Sequence, residues 1–240
     1  MAEPPRDDKA YDVNFCFPIR ELENERVKLT PFVPSVHAEP FHLGSAPHQE
    51  LWQFLPFGPF SDTTSLLKEL IEGRIQPDPA IVLFAIIDKT RPPSESPLAG
   101  VLGYLNTSQA NLSTEIGFVI VLPPFQRTHV TTNAVGLLML YALDLPSQGG
   151  LGLRRLQWQA NVLNTKSVRT AERMGFKREG TLRWERVLPG GRGKMHNGIP
   201  LREGDPRPGT LGRDTAMLAL CWDDWETERE KVIAIMERHK

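Results

Sequence analysis

The residues of this sequence whose types suit binding chemistry gather after two apolar stretches of strand length. Gln126, Arg127 and Thr128 follow the first stretch and precede a long apolar helix pattern, whereas Asn161 and Asn164 follow the second. The spacing of the two asparagines is typical of a polar turn that ends in a helix N-cap. A loop between a strand and a helix offers backbone N–H groups and the positive end of the helix dipole, which suit a pyrophosphate. The pattern therefore predicts a wall that binds a phosphorylated cofactor.

A second group of candidate residues is aromatic and lies earlier in the chain. The stretch L-W-Q-F-L-P-F-G-P-F, residues 51–60, places Trp52, Phe54, Phe57 and Phe60 among two prolines and a glycine. Aromatic side chains are more often part of a core, but rigid walls of this kind also suit a substrate pocket. The other wall is predicted to contain Trp184 and the Arg-rich segment that follows it.

Hydrophobic periodicity and turn residues predict the elements that must position these groups. Strands are predicted at residues 26–32, 81–87, 98–106, 115–122, 153–160, 181–188 and 215–222. Helices are predicted at residues 34–43, 48–54, 62–72, 131–145, 165–174 and 223–238.

The pattern also predicts how the chain divides. Residues 1–25 are polar and contain prolines, which predicts a mobile or draped N-terminal arm. Residues 26–240 are predicted to form one domain, and residues 189–213, with seven glycines, four prolines and five basic residues, form a long insert between its last two strands.

Composition excludes several classes of protein. Lys and Arg number 28 against 29 Asp and Glu, so the chain has no net charge that favours nucleic acid or an anionic membrane. The longest apolar run, residues 134–143, is about half of the ~20 residues that a transmembrane helix needs. Cys16 and Cys221 are far apart in sequence, which argues against a disulfide framework or a thiolate metal site. No metal, nucleic-acid or membrane partner is expected, and a cytoplasmic location is the simplest prediction.

Five motifs in sequence order carry a resemblance to a known family. Residues 158–180 contain N-x-x-S (Asn164, Ser167), then A-x-R-x-G-F and an E-G pair. The other four are the aromatic stretch, T-E-I-G-F at 114–118, F-Q-R-T-H-V-T-T-N-A at 125–134 and G-R-D-T-A at 212–216. Together they resemble the Gcn5-related N-acetyltransferases (GNAT), and within them the ribosomal-protein alanine/serine N-acetyltransferase (RimJ/RimL-like) branch. The resemblance covers most of residues 26–225.

The resemblance implies a single-domain α/β fold with a mixed, partly open, twisted sheet of about seven strands and flanking helices. It also implies a V-shaped splay between the fourth and fifth strands, where the pantetheine arm of acetyl-CoA takes the place of a strand. The family's loop pattern Q/R-x-x-G-x-G/A is altered here, because His129 and Thr131 stand where small residues are usual. The expected contacts to acetyl-CoA are Phe118, Val119, Ile120, Gln126, Arg127, Thr128, His129, Val130, Thr131, Thr132, Asn161, Asn164, Ser167, Arg169 and Arg173.

Catalytic roles also follow from the resemblance. Transfer of an acyl group to an amine needs a base for the ammonium proton and a donor for the leaving thiolate. Glu115 stands where several relatives keep a carboxylate near the acceptor amine, and it is the candidate base. Many relatives use a helix tyrosine as the acid, but that position here is Ala171, so Ser167 becomes the candidate donor.

The sequence therefore predicts an acetyl-CoA-dependent N-acetyltransferase that works by direct attack of a primary amine. The acceptor stays open among a protein N-terminus, a lysine, a polyamine, an aminoglycoside and a small metabolite. A monomer and a homodimer both stay open. The alternative is a catalytically inactive relative that binds CoA or a protein partner. The basic insert is poorly suited to nucleic acid, because acidic residues interrupt it and aromatic residues do not interleave it.

Overall fold

The computed structural model of the protein describes residues 13–92, 94, 97–191 and 193–238. The first twelve residues of the predicted arm lie outside these described residues. Residues 13–25 pack against the domain: the ring of Phe15 stacks on Tyr104 with centroids 6.3 Å apart, and Tyr141 donates its hydroxyl hydrogen to the carbonyl oxygen of Pro18 at 2.5 Å.

The described residues form one open, mixed sheet of eight strands in the order β1-β2-β3-β4-β5-β6-β8-β7. The strands are β1 (Leu22–Glu23), β2 (Val27–Pro31), β3 (Val82–Asp88), β4 (Leu98–Ser108), β5 (Ser113–Val121), β6 (Arg155–Asn161), β7 (Lys177–Leu188) and β8 (Leu211–Cys221). All neighbours are antiparallel except β5 and β6, which are parallel. The predicted α/β fold with a mixed, open sheet is confirmed. The sheet has eight strands rather than about seven because the short strand β1 pairs with β2.

Five α-helices among the described residues flank the sheet: α1 (Pro34–Ser45), α2 (Thr63–Leu66), α3 (Val130–Leu143), α4 (Thr165–Arg173) and α5 (Trp222–Glu237). Helix α2 continues directly into a π-helical segment, Leu67–Ile75. The side chain of Asp62 caps α2 by accepting a hydrogen bond from the backbone N–H of Ser65 at 2.7 Å. Residues 48–54, predicted as a short helix, contain one 3₁₀ turn, Gln49–Trp52.

Helix α3 is the centre of the core, as its nearly all-round apolar pattern predicts. It lies between the sheet and α5, and eleven of its fourteen residues are buried. Tyr104 on β4 donates its hydroxyl hydrogen to the carbonyl oxygen of Leu138 at 2.5 Å. On the opposite side, a Cβ on Gly136 would lie 2.3 Å from the Met236 sulfur. The glycine therefore allows α3 and α5 to pack closely.

The two parallel strands part after a short paired segment, and the predicted splay is confirmed. Their register begins at Ser113↔Arg155 and ends at Ile116↔Trp158. Among the described residues, no strand pairs with β5 on its β6 side beyond Ile116. Unpaired backbone groups in such a gap require a partner. The gap therefore provides room for an extended ligand chain.

The two largest shifts of a predicted strand boundary both lie in the last hairpin. Strand β7 begins at Lys177, four residues before the predicted start, and β8 begins at Leu211. Residues 211–213, which the sequence pattern assigns to the end of the insert, thus belong to β8. Residue Arg213 is consequently part of the sheet rather than of a loop.

Candidate active site

A β-bulge marks the point at which β5 leaves β6. The pairs Val101↔Ile120 and Gly103↔Gly117 leave one extra residue on β5 opposite Leu102. Phe118 has a φ of +52°, which is unusual for a residue with a side chain. A bulge bends a strand and increases its twist. The bend accounts for the parting of the strands at the predicted pantetheine contacts, residues 118–120.

The predicted phosphate loop connects β5 to α3. The side-chain amide of Gln126 donates to the carbonyl oxygen of Val121 at 2.9 Å. The Thr128 hydroxyl donates to the Phe125 carbonyl at 2.7 Å and accepts from the backbone N–H of Val130 at 3.2 Å. Arg127 is exposed at the loop tip with a φ of +61°. Two hydroxyl side chains, Thr131 and Thr132, occupy the half-buried first turn of α3, which has no acidic residue to repel a phosphate.

His129 differs from its neighbours in this loop. Its ring Nε2 lies 3.2 Å from a carboxylate oxygen of Asp88 on β3, and its side chain is only 12% exposed. The imidazole thus contacts the end of β3. Its backbone carbonyl accepts from the Asn133 side chain at 2.9 Å, which fixes the first turn of α3.

The turn from β6 to α4 holds the other predicted cofactor contacts. The side chain of Asn164 caps α4 by accepting from the backbone N–H of Ser167 at 3.2 Å, as the sequence predicts. The Ser167 hydroxyl oxygen accepts from the indole N–H of Trp158 at 2.9 Å, which leaves its own hydrogen free to donate. Arg169 and Arg173 lie on the exposed face of α4.

Asn161 ends β6 and is largely engaged inside the chain. Its side-chain Oδ1 accepts from the backbone N–H of Leu163 at 2.9 Å, and its side-chain amide Nδ2 donates to the backbone carbonyl oxygen of Met195 at 2.7 Å. Met195 belongs to the insert, so Asn161 ties the insert to the open end of β6.

Glu115 lies on β5, one residue before the strands part. The sequence rule that an acidic residue at a strand start is usually solvated does not hold here, because Glu115 is only 3% exposed. Burial raises the pKa of its carboxyl to about 7, although a hydrogen bond from the Asn106 amide at 2.7 Å acts in the opposite direction. Among nearby charges, Arg186 and Arg213 lower this pKa and Glu185 raises it. A carboxyl with this pKa can accept a proton near neutral pH.

One face of the sheet carries Glu115 together with further polar side chains. Glu115 pairs with Gln157 in the parallel ladder, and Gln159 lies two residues further along the same face. Asn161 pairs with Thr215 on β8, and Arg213 precedes Thr215 by two residues on the same strand. Because paired residues and residues two apart share a face, these side chains all lie on the Glu115 side.

The aromatic stretch covers part of this region, and its four members have different roles. Trp52 and Phe60 are buried in the core, with ring centroids 5.2 Å apart. Phe54 and Phe57 are half-buried. The Phe57 ring lies 5.7 Å from the Phe118 ring, which joins the predicted acceptor wall to the bulge of β5.

Lys194 attaches the insert to this aromatic stretch. Its ammonium donates to the carbonyl oxygens of Trp52, Leu55 and Phe57, each at 2.9 Å, and to that of Gly58 at 2.7 Å. Burial lowers the pKa of Lys194 to about 8. The insert thus reaches the candidate site through one side chain bound to four backbone acceptors.

Trp184 contacts the insert side of the site. Its ring lies against Gly212 on β8, and its side chain stays substantially exposed at 44%. Its backbone N–H donates to a carboxylate oxygen of Asp214 at 2.8 Å. Glu185, the next residue, contacts the Arg186 guanidinium at 2.8 Å.

Two buried side-chain atoms have no hydrogen-bond partner among the described residues: the indole nitrogen of Trp52 and the amide oxygen of Gln159. Such atoms are rare in folded proteins and each calls for an explanation. Gln159 lies on β6 beyond the last pair with β5. Its side-chain oxygen is therefore free to accept a hydrogen bond at the point where the two strands have parted.

The sequence pattern missed several residues of the site. The position of Asn106 near Glu115 could have been predicted, because a hairpin between β4 and β5 places its neighbour Leu105 opposite Glu115. For Arg213, the sequence shows only that the residue lies next to a predicted strand, and nothing in it predicts a place in the site. Nothing in the sequence predicts the place of Lys194 either, because its four partners lie about 140 residues away in sequence.

Two further searches of the described residues have negative results. No group of three or more His, Cys, Asp or Glu side chains within the described ranges has the arrangement of a metal site. No helix in this part of the chain has both the length and the apolar character to cross a membrane.

An open mixed sheet whose central parallel strands part beside a buried carboxyl is the fold of an acetyltransferase domain. The family model for the "Acetyltransferase (GNAT) domain" matches residues 26–177, and the chain belongs to this family. No curated protein matches the chain.

Solved structures agree with this assignment. A probable acetyltransferase of the GNAT family from Chromobacterium violaceum is 27% identical, with a TM-score of 0.70 over 94% of this chain and 98% of that one. Two more distant structures share the fold. The ribosomal-protein-S5-alanine acetyltransferase from Vibrio fischeri is 16% identical, with a TM-score of 0.60 over 86% of this chain and 99% of that one. Spermidine N-acetyltransferase from Vibrio cholerae, solved with CoA and spermine, is 16% identical, with a TM-score of 0.59 over 85% and 99%.

Proposed function

We propose that this protein transfers an acetyl group from acetyl-CoA to a primary amine by direct attack of the amine on the thioester. The observation that carries the proposal is the position of Glu115, a buried carboxyl with a pKa of about 7, one residue before β5 and β6 part. A thioester in the gap and an amine on the aromatic side would meet beside this carboxyl.

The residues around the gap fit acetyl-CoA. The unpaired backbone of residues 118–120 and the free oxygen of Gln159 suit the amide groups of a pantetheine chain. The first turn of α3 and the exposed Arg127 suit the pyrophosphate. Asn164 lies at the start of α4, beside the gap, where a contact to the same chain is compatible with its capping role.

Each residue then has a defined part in the transfer. Glu115 takes a proton from the acceptor ammonium and leaves a neutral amine. The amine lone pair forms the new C–N bond at the thioester carbonyl, the C–S bond breaks, and the sulfur leaves as a thiolate. Ser167 donates a hydrogen bond to that thiolate, because its oxygen already accepts from Trp158 and its hydrogen is available. The thiolate finally takes up a proton, and the second amine proton leaves to solvent.

One observation favours a second function, a catalytically inactive module that binds CoA. Ala171, fully buried on α4, stands where the resemblance implies a tyrosine acid in many relatives. In this alternative the gap binds the cofactor, but no acceptor is acetylated.

The similarity to the Vibrio fischeri enzyme supports, at the level of fold, membership of the ribosomal-protein acetyltransferase branch. We therefore propose that branch as the chain's place in the family. A protein N-terminus and a small amine are both compatible acceptors.

Calorimetric titration with acetyl-CoA, followed by thiol release with a panel of primary amines, tests the proposal. The proposed function predicts saturable binding and amine-dependent release of CoA, with an acetylated amine detected by mass spectrometry. Binding without any amine-dependent release supports the inactive module. Absence of binding contradicts both.

A further inference from the structure

Arg213 is a buried cation with no carboxylate of the described residues in direct contact, although the charges of Glu185 and Glu115 act on it. It is only 6% exposed, and no carboxylate of the described residues lies within 4 Å of its guanidinium. Its Nε donates to the Thr215 hydroxyl at 3.1 Å and its Nη1 to the Phe54 carbonyl at 3.2 Å. No protein acceptor among the described residues contacts Nη2. Buried charges are ordinarily in direct contact with a partner, so this guanidinium can bind an anion in addition to the more distant charges of Glu185 and Glu115.

Arg186 lies near Arg213, and Arg74 lies near Arg186. Arg186 stands opposite Arg213 in the ladder between β7 and β8, and their like charges act on each other. Arg74, at the end of the π-helical segment, lies over the Phe57 ring at 5.3 Å, and within the described residues it forms no ion pair. Burial, and secondarily the charge of Arg186, lower the pKa of Arg74.

The positive charge of this cluster exceeds its negative charge. Glu185 contacts Arg186 at 2.8 Å and accepts from Thr215 at 3.4 Å, so it offsets one of the three cations. Glu115 is partly protonated near neutral pH, because its pKa is about 7. The region between the aromatic stretch and β8 therefore attracts anions and repels polycations.

We propose that the amine acceptor carries an oxyanion group, and that this group binds the guanidinium groups of Arg213, Arg186 and Arg74 while the amine faces Glu115. The inference rests on the proposed acetyl transfer and defines the class of its acceptor. Carboxylates and phosphates both match the planar fork of a guanidinium. The Phe57 ring, which supports Arg74 on one side and contacts Phe118 on the other, links this anion subsite to the gap.

A spermidine-like acceptor has the opposite charge. Such an amine would bring additional positive charge next to three guanidinium groups, and the desolvated repulsion would oppose binding. Distant similarity to a spermidine N-acetyltransferase therefore does not extend to the acceptor in this proposal.

Matched pairs of amines test the proposal. Short ω-amino acids are compared with their own primary amides, 2-aminoethyl phosphate with ethanolamine, and spermidine serves as the cationic reference. We expect kcat/KM for the anionic member to exceed that of its neutral partner by about tenfold or more, because hydrogen bonds to a charged partner are the stronger ones. Comparison of the ω-amino acids with 2-aminoethyl phosphate shows whether the subsite prefers a carboxylate or a phosphate.

Variants then assign the effect to the cluster. Arg74→Gln should reduce the preference for the anionic amine severalfold, whereas Arg74→Lys should retain part of it. Arg213→Gln should reduce the preference further, and its thermal unfolding is measured to detect a loss of fold. Arg202 is an exposed residue of the insert, and Arg202→Gln is the matched control. This variant should leave the preference for the anionic amine unchanged.

The outcomes separate the inference from the proposed function. Equal or better use of neutral amines or spermidine overturns the anion subsite but leaves acetyl transfer intact, as does an unchanged preference in both Arg74→Gln and Arg213→Gln. If no amine releases CoA, calorimetric binding of the same matched pairs still tests the subsite. Tighter binding of the anionic member supports it, and equal binding contradicts it.

Discussion

The two sides of the gap are built differently. The cofactor side consists of two short, continuous pieces of chain: the turn from β5 into α3 and the turn from β6 into α4. The acceptor side joins the aromatic stretch, the end of the π-helical segment, β4, β7, β8 and the insert. The cofactor side is thus formed by residues close together in sequence, whereas the acceptor side depends on contacts between segments that are distant in sequence.

This difference indicates which properties each side controls. The cofactor side relies largely on backbone groups and a helix N-terminus, which tolerate many side chains. The acceptor side relies on particular side chains, Glu115, Arg213 and Lys194, held by tertiary contacts. Substitutions on the acceptor side should therefore alter turnover and acceptor choice while acetyl-CoA binding stays unchanged. The following predictions test that separation.

The largest effect is expected for Glu115→Gln. Loss of the base should lower kcat for acetyl transfer by roughly 10²–10⁴-fold, while the Kd for acetyl-CoA changes little. In the wild-type chain, kcat/KM should rise as pH passes through about 7, because Glu115 loses its proton there. The variant should lack that inflection. Stopped-time assays of thiol release across pH measure both effects, and wild-type turnover in the variant would remove Glu115 from this role.

The same variant should be more stable than the wild type at alkaline pH. The folded pKa of Glu115 is raised from 4.5 to about 7, so its contribution to stability is present below pH 4.5 and is lost as pH rises through 7. A neutral glutamine avoids this loss. The free energy of unfolding should rise on the order of 1–3 kcal/mol at pH 8, with little difference near pH 4. Urea denaturation at the two pH values measures this, and equal stability at both contradicts the assigned burial cost.

A smaller effect is expected for Ser167→Ala, on the boundary between the two sides. The hydrogen bond to the leaving thiolate disappears, and kcat should fall by roughly tenfold. The Trp158 indole N–H also loses its acceptor, which should cost about 1–3 kcal/mol of stability. Thr165→Ala, in the same helical turn and exposed, is the control. If its kcat falls as far as that of Ser167→Ala, the assignment of the serine is wrong.

Lys194→Met should affect the acceptor side alone. The variant keeps an unbranched stem but loses the ammonium that four carbonyl groups share. We expect faster proteolysis of the insert and a rise of about fivefold in the acceptor KM, since the pocket wall loses its attachment. The Kd for acetyl-CoA should stay constant. Lys194→Arg should recover part of the loss, and equal proteolysis of all three chains would contradict the anchor.

The smallest expected change is a pH shift in Asn106→Gly. Glycine tolerates the φ of +51° at this position, so the backbone should keep its course. The lost amide hydrogen bond lowers the pKa of Glu115 in the wild type, so its removal should move the kcat/KM inflection upward by less than about one pH unit. An inflection that moves downward or stays in place would contradict this hydrogen bond's effect.

The sequence predicted the cofactor side better than the acceptor side for a physical reason. Periodicity and capping preferences act within a few residues, so the N-cap at Asn164 and the apolar helix α3 could be expected. The parting of the strands was predicted only through the family resemblance. The start of β7 carries K-R-E-G, which is exposed on both faces and has no alternation to detect. It becomes a strand because β8 pairs with it, and a local pattern contains no such information.

The acceptor side has the same limitation. Glu115 was predicted as a candidate base only through family resemblance, and its burial arises from long-range contacts. The burial of Arg213 and the four acceptors of Lys194 depend on tertiary contacts across the sheet. These are features that spacing within one segment does not encode.

The extra residue in β5 has a consequence for how the gap could be lost. If a deletion removed Phe118 or Val119, the extra residue of β5 opposite Leu102 would be lost and the bend at this point would disappear. The two parallel strands would then be free to form hydrogen bonds along their full common length. The backbone groups that are now unpaired in the gap would bond to each other. A single-codon loss in this strand would thereby favour a closed sheet without changing any of the charged side chains.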